Sequence, residues 1–490
     1  MLKKLLLSAV FIGSLVQAQQ TYKSPLTSAI KESDLKKDLY AMADNHFRGR
    51  EAGTLDELKA AVWLADEAKK AGMQPAGDDG TFFQFFHLIR HRPSDRSTIS
   101  INGKGLALWS DVLIAQPNEA IVDAPIVFID KGRVEDLEKA DLKGKAVAIM
   151  ASDEGLNLNM SLPERRYPVF VRNKFYEKLT AKGAVAIIFI ADKLGEESWP
   201  AVVPQMTRGL YDIEGGINEK ISPKAPVIWV HEKELDALKK AGSRLTTNII
   251  TETFCYPSVN VIGKIVGTDS KLNKEYVLIS GHHDHEGIRQ KYGEDSIYNG
   301  ADDNASVCVA MLAMARAYKI QPAKRSLLFV FHGSEERGLL GSKYHAAHPV
   351  VDKSSIIAVL NGDMIGRNDV NEATILGAND PHKNSDDLVE ITLRANEEGP
   401  KFRLNKDWDK PEHVEYFYFR SDHLPYAKTG IPAIFFTSML HSQYHTPMDK
   451  PENINYLKLK KMTDWIYRTS WILANEKERP ALVTNFKLER

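Results

Sequence analysis

The feature that most narrows the fold lies in the second half of the chain. From Ser258 onward, short and almost wholly apolar runs alternate with helical patterns. "EYVLIS" is followed by the helical "ASVCVAMLAMARAYK", then "SLLFVF", "GLLGSKYHAAH", "SIIAVLN", a helical stretch from Asp386 to Asn396, "IPAIFF", and an amphipathic segment from Tyr456 to Ala474. Strands this apolar need cover on both sides, and strands separated by helices pair in parallel. The expected fold is α/β, a mostly parallel central sheet covered by helices on both faces. In such sheets ligands bind beyond the carboxyl ends of the strands.

Those ends carry metal-binding residue types. After "EYVLIS" come Gly281, His282, His283 and Asp284; after "SLLFVF" come Glu335 and Glu336; after "SIIAVLN" comes Asp363; beyond "IPAIFF" lies a loop with Tyr444 and His445. "NGADDNAS" puts Asp302 and Asp303 at the entrance to a helix. Singly, an Asp at a helix start is a cap and an acidic pair after a strand is a charged turn. Repetition at successive strand ends calls for a common cause. Adjacent carboxylates such as Glu335 and Glu336 repel at neutral pH, so a cation is expected between the strand ends.

Two imidazoles and three carboxylates, without thiolate, suit catalytic zinc, and Mn2+ or Co2+ would fit the same donors. Five donors exceed the three protein ligands of one open catalytic zinc. Two metals sharing one Asp use all five, and together can activate a water and polarise a carbonyl. A neighbouring carboxylate then handles the proton. Peptide hydrolysis fits this apparatus.

The rest of the chain sets limits. The start, "MLKKLLLSAVFIGSLVQAQQ", has a basic beginning, an apolar stretch from Leu5 to Val16 and a small-residue site at Ala18, as in a secretory signal spanning 1–18. No segment reaches the ~20 apolar residues of a membrane span, so a periplasmic or secreted protein without a stable membrane anchor is expected. With 64 basic and 65 acidic residues nothing favours a nucleic-acid partner. Residues 19–107 hold two helical patterns, the second opening on the capping box Thr54–Glu57 and stopping at Gly72. From 108 to 250 the texture becomes β-rich, with "APIVFID", "GKAVAIM", "GAVAIIFI" and "APVIWV" around one helical pattern, "FYEKLTAKG". Residues 251–490 form the alternating unit. Cys255 and Cys308 are too few for a disulfide framework, and Cys308 reads as a small core residue within an apolar helical run.

"ISGHHDH", "GADDNAS", "GSEERGLLGS", "NGDMIGR" and "YHTPMDKPEN" together resemble the zinc-dependent exopeptidases that include bacterial leucine aminopeptidases and glutamate carboxypeptidases. The likeness runs over nearly the whole mature chain. Residues 108–250 resemble a protease-associated domain inserted before the catalytic sheet, through "DLKGKAVAIM" and "FYEKLTAKGAVAIIFI". The resemblance implies two Zn2+ per chain, with His282 and Asp363 on one, Glu336 and His445 on the other, and Asp303 on both. It makes Glu335 the general base, Asp284 the residue that orients His282, and Tyr444 the phenol that hydrogen-bonds the oxyanion. His283 stands where an aromatic is common, and "ASVC" replaces the usual Ala-Ser-Gly. His285, His332, His413, His423 and His441 are expected to lie behind the ligands or on the surface.

The implied activity is that of an exported aminopeptidase acting on peptides. A carboxypeptidase or dipeptidase shares the metal core, and a mono-zinc glutaminyl cyclase has a related scaffold. A binding module on a dead peptidase scaffold would lack one or more ligands. The sequence leaves the oligomeric state and side-chain preference open.

Overall fold

The computed structural model describes residues 23–490 apart from 117, 131–133, 217–224, 485, 487, 489 and 490, so the expected signal segment 1–18 lies outside the described residues. The apolar runs form strands at the expected places. In chain order these are β1 (Phe83–Pro93), β2 (Leu210–Ile213), β3 (Thr251–Ile265), β4 (Tyr276–His282), β5 (Ser326–His332), β6 (Ile356–Gly362), β7 (Glu372–Leu376), β8 (Arg403–Leu404) and β9 (Ala433–Thr437). With the short strand Gln74–Pro75 they make a ten-stranded sheet in the order β8-β7-β9-β6-β4-β5-β3-β1-β2.

Its centre, β9-β6-β4-β5, is parallel. The flanks β7 against β9 and β3 against β5 are antiparallel. Every residue of β5 and β6 is buried, as strands covered on both faces require. The cover includes helices α1 (Glu32–Met42), α2 (Leu55–Ala71), α3 (Ser306–Ile320), α4 (Asp386–Glu397) and α5 (Tyr456–Asn475).

The capping box at α2 forms in part. The Thr54 hydroxyl accepts the N–H groups of Asp56 and Glu57. The Glu57 carboxylate turns instead to the Gly53 N–H and the Ser258 hydroxyl, because it is buried against β3. Helix α3 sits close on β4 and β6: a Cβ on Gly281 would meet Val307 Cγ1 at 2.5 Å, and one on Gly362 would meet it at 3.0 Å. Two glycines therefore make room for Val307, the residue that departs from the usual glycine of the motif. That approach brings the start of α3, with Asp303 just before it, down onto the strand ends.

A second sheet, of eight strands, runs between residues 98 and 249 and carries the helices Pro163–Ala181 and Lys193–Arg208. It takes in Thr98–Ile101 and Lys104–Gly105, upstream of 108, while β2 from within 108–250 pairs with β1 in the first sheet. Hydrophobic clusters line it, one around Trp229 and Phe189, another around Ile188 and Leu245. Cys255 is exposed and Cys308 buried, and both are free. Among the described residues no helix is long and apolar enough to cross a membrane.

One buried side chain ties the N-terminal segment to the catalytic loops. The Arg50 guanidinium is fully enclosed and donates to the carbonyls of Met42, His283, Asn299 and Gly300. Removing it strands several buried acceptors, each costing about 1–3 kcal/mol. Arg50→Met is expected to lose at least about 3 kcal/mol of stability, measured by denaturant unfolding; a loss near zero would contradict this clamp.

Candidate metal centre and active site

The strand ends converge as the sequence reading anticipates. His282 closes β4, directly beside His332 of β5. Its Nδ1 lies 3.1 Å from the Asp284 carbonyl, which can only accept, so Nδ1 carries a proton and Nε2 is the nitrogen turned toward the carboxylates. Nε2 faces Asp303 Oδ1 at 3.2 Å, Asp363 Oδ1 at 3.5 Å and Glu335 Oε2 at 3.8 Å. Asp303 presents its other oxygen to a second group, with Oδ2 3.1 Å from His445 Nε2. His445 Nε2 is in turn 3.1 Å from Glu336 Oε1.

The acidic residues are held from behind, Asp363 by its carboxylate and the others by their backbone N–H groups. The backbone N–H groups of Asp302 and Asp303 donate to Asp449, and the Ser421 hydroxyl donates to Asp363 Oδ2. The turn bearing Glu335 and Glu336 starts at Ser334 in the left-handed region, φ 55°. Its Glu335 and Glu336 N–H groups donate to the Asp284 carboxylate. Asp284 thus orients His282 through its carbonyl, while its carboxylate, 3.7 Å from Nδ1, fixes the glutamate turn. Asp302 is a neighbour only, accepting the Gly366 N–H.

The donors form two groups, His282–Glu335–Asp363 and His285–Asp303–Glu336–His445, each with its ligand atoms within 4.8 Å of one another. Buried ligand atoms among them, His282 Nε2, Asp363 Oδ1 and Glu336 Oε1, have no hydrogen-bond partner. Polar atoms buried without partners are costly, and here they aim at common points. The residues therefore fit zinc: imidazole and carboxylate donors, no thiolate, unspent lone pairs. Burial, helped by Glu336, Asp422 and Asp363, pushes the Glu335 carboxyl well above the usual range against the pull of His282. Burial acts on Glu336 in the same sense, yet the nearby His445 and His285 bring it well below that range.

Of the extra histidines, His332 and His423 are buried behind the site and the His413 ring lies tilted against Trp408. His441 Nε2 is 3.6 Å from Asp302. His285 departs from expectation. It sits inside the second donor group, its Nδ1 2.9 Å from Glu336 Oε1.

Tyr444 stacks on His445, ring centroids 3.8 Å apart. Its hydroxyl accepts from Arg420 at 2.9 Å, which leaves its own proton to donate. Arg420 was not anticipated as a site residue. It is paired with Glu415, which also accepts from Ser161 and pairs with Arg166 of the second-sheet region. The only signal in the sequence was the stretch "FRSDH" itself.

Residues 260–470 match the sequence profile of Peptidase family M28. This segment is an M28 peptidase domain. The expected place among zinc-dependent exopeptidases, as a hydrolase, stands. Over 447 residues, 89% of this chain and 83% of the relative, the protein is 25% identical to "Aminopeptidase YwaD" of Bacillus subtilis. The fold is that of the aminopeptidase from Aneurinibacillus sp. strain AM-1, with TM-score 0.59 and 21% identity over 95% of this chain and 98% of that one. It is also that of BSAP, a zinc aminopeptidase from Bacillus subtilis, with TM-score 0.55 and 21% identity over 94% and 99%.

Because Asp303 faces both donor groups, Asp303→Asn is expected to lower zinc retention at both. Asp363→Asn and Glu336→Gln should each weaken one. Metal analysis after dialysis reads the difference, and equal losses in all three variants would contradict the sharing.

Proposed function

We propose that the protein is an exported dinuclear zinc aminopeptidase that removes N-terminal residues from peptides. The observation that carries this reading is the Asp303 carboxylate, whose two oxygens face two separate donor groups. His282 and Asp363 would hold one zinc, Glu336 and His445 the other, and Asp303 both. Bound there, the zinc ions would supply Lewis acidity and lower the pKa of water toward neutrality.

The chain's own residues do the rest. Glu335, largely enclosed with its Oε2 3.8 Å from His282 Nε2, takes the proton from the attacking water and returns it to the leaving amine. Tyr444, its oxygen already occupied by Arg420, donates its proton to the oxygen of the scissile carbonyl as charge develops there. The names of YwaD and BSAP support reading the amino end. Residues 108–250, read as an inserted protease-associated domain, reach the border of the site through Ser161 and Arg166, which contact Glu415. A signal segment at 1–18 supports export to the periplasm or beyond.

A second reading, a carboxypeptidase or dipeptidase, has one observation in its favour. Arg166 and Arg420 share the single carboxylate of Glu415 beside Tyr444, leaving positive charge that suits a substrate carboxylate. The cyclase reading is disfavoured by the complete two-group donor set.

Glu335→Gln is expected to keep bound zinc and lose hydrolysis by at least about a hundredfold, the order typical of a general base. Wild-type rates would remove the base from the mechanism. Free, N-acetylated and C-amidated peptides incubated together and read by mass spectrometry should show trimming of free and amidated peptides only. Trimming of acetylated but not amidated peptides would favour the second reading.

A further inference from the structure

His285 is the residue at the site that the five-ligand scheme leaves without a role. Its side chain is completely buried. Its ring is fixed by the backbone around it: its N–H donates to the Arg50 carbonyl at 3.1 Å, and Gly300 lies so close that a Cβ there would meet the ring at 2.5 Å. The ring stands edge-on to His445, with centroids 5.5 Å apart.

The contact with Glu336 is short but is no hydrogen bond. Nδ1 lies 2.9 Å from Oε1, yet both atoms lack a hydrogen-bond partner, because the oxygen lies off the direction in which a ring proton would point. Two adjacent lone pairs that miss each other point at a third body. The edges among the four donor atoms say the same. His285 Nδ1 to Glu336 is 2.9 Å and to Asp303 3.8 Å, and His445 Nε2 is 3.1 Å from each of those carboxylates. A tetrahedral zinc with bonds near 2.0–2.2 Å has donor–donor edges of about 3.3–3.6 Å. Four edges bracketing that length describe a cage of the right size.

We propose that His285 is a fourth protein ligand, through Nδ1, of the metal position held by Glu336, Asp303 and His445; this rests on the two-metal reading above. The two positions are then unequal. Four protein donors close the His285 position in the manner of a structural zinc site, whereas His282, Asp303 and Asp363 give the other three donors and leave room next to Glu335. The three-donor position is where water and substrate exchange, and the four-donor position holds its ion more tightly.

The test is titration of the metal-free full chain with Co2+, followed by calorimetry and visible absorption, for wild type, His285→Ala and His285→Gln. Gln nearly keeps the volume of the ring and its amide N–H could donate to Glu336, but the amide is a poor ligand. Both variants are expected to bind one Co2+ as wild type does. The second should bind more than about a hundredfold weaker, beyond the 10–100-fold of a residue acting behind the ligands, with an altered absorption band. Unchanged affinity and spectrum in His285→Ala would overturn the proposal. So would recovery of both in His285→Gln, which would make His285 a positioning residue for Glu336. A wild type that takes up a single Co2+ would overturn the two-metal reading itself, and the proposal with it.

Discussion

Four carboxylates, Asp303, Glu335, Glu336 and Asp363, crowd one buried corner of the sheet, and their mutual repulsion is the constraint on which the site depends. Two unit charges 4 Å apart interact by about 4 kcal/mol at an effective dielectric of 20. Imidazoles alone answer this only by taking up protons, and Nε2 of both His282 and His445 points at carboxylate oxygens. The surroundings reinforce the arrangement instead of relieving it. Asp449, Ser421 and the Asp284 carboxylate pin the acidic residues by hydrogen bonds from behind. A fold that fixes like charges so firmly needs positive charge among them, and the donors present fit zinc.

The corner is not made by the catalytic sheet alone. Arg50 ties the N-terminal segment to the loops carrying His283 and Gly300. Ser161 and Arg166, from the region of the second sheet, reach Glu415, which holds Arg420 against Tyr444. Arg208 meets Glu286, just past the ligand loop. Two regions of the chain thus border one site.

Much of this was legible because the donors directly follow apolar runs. A strand buried on both faces announces itself by composition, and its end is read off within a residue or two: β4 and β5 each run one or two residues past their apolar stretches, to His282 and His332. The choice of Asp303 over Asp302 came from the motif; in the structure the two Asp303 oxygens face His282 and His445, while Asp302 accepts the Gly366 N–H. What stayed hidden depends on turns and long-range contacts. In "HHDH" no periodicity tells which imidazole curls back; His285 does so because its N–H pairs with Arg50 and the chain turns at Gly287, φ 77°. Arg420 lies far from Tyr444 in sequence, with no local pattern joining them. The helix Lys193–Arg208 was masked by Pro200 and Pro204, which composition reads as breakers although the fold accommodates both.

The most direct measurement is anomalous diffraction at the zinc absorption edge from crystals of the zinc-loaded protein. The account predicts two peaks about 3.5–4 Å apart, the spacing of paired-metal hydrolases, one on either side of the Asp303 carboxylate. A single peak, or two peaks with Asp303 turned away from one of them, would contradict it.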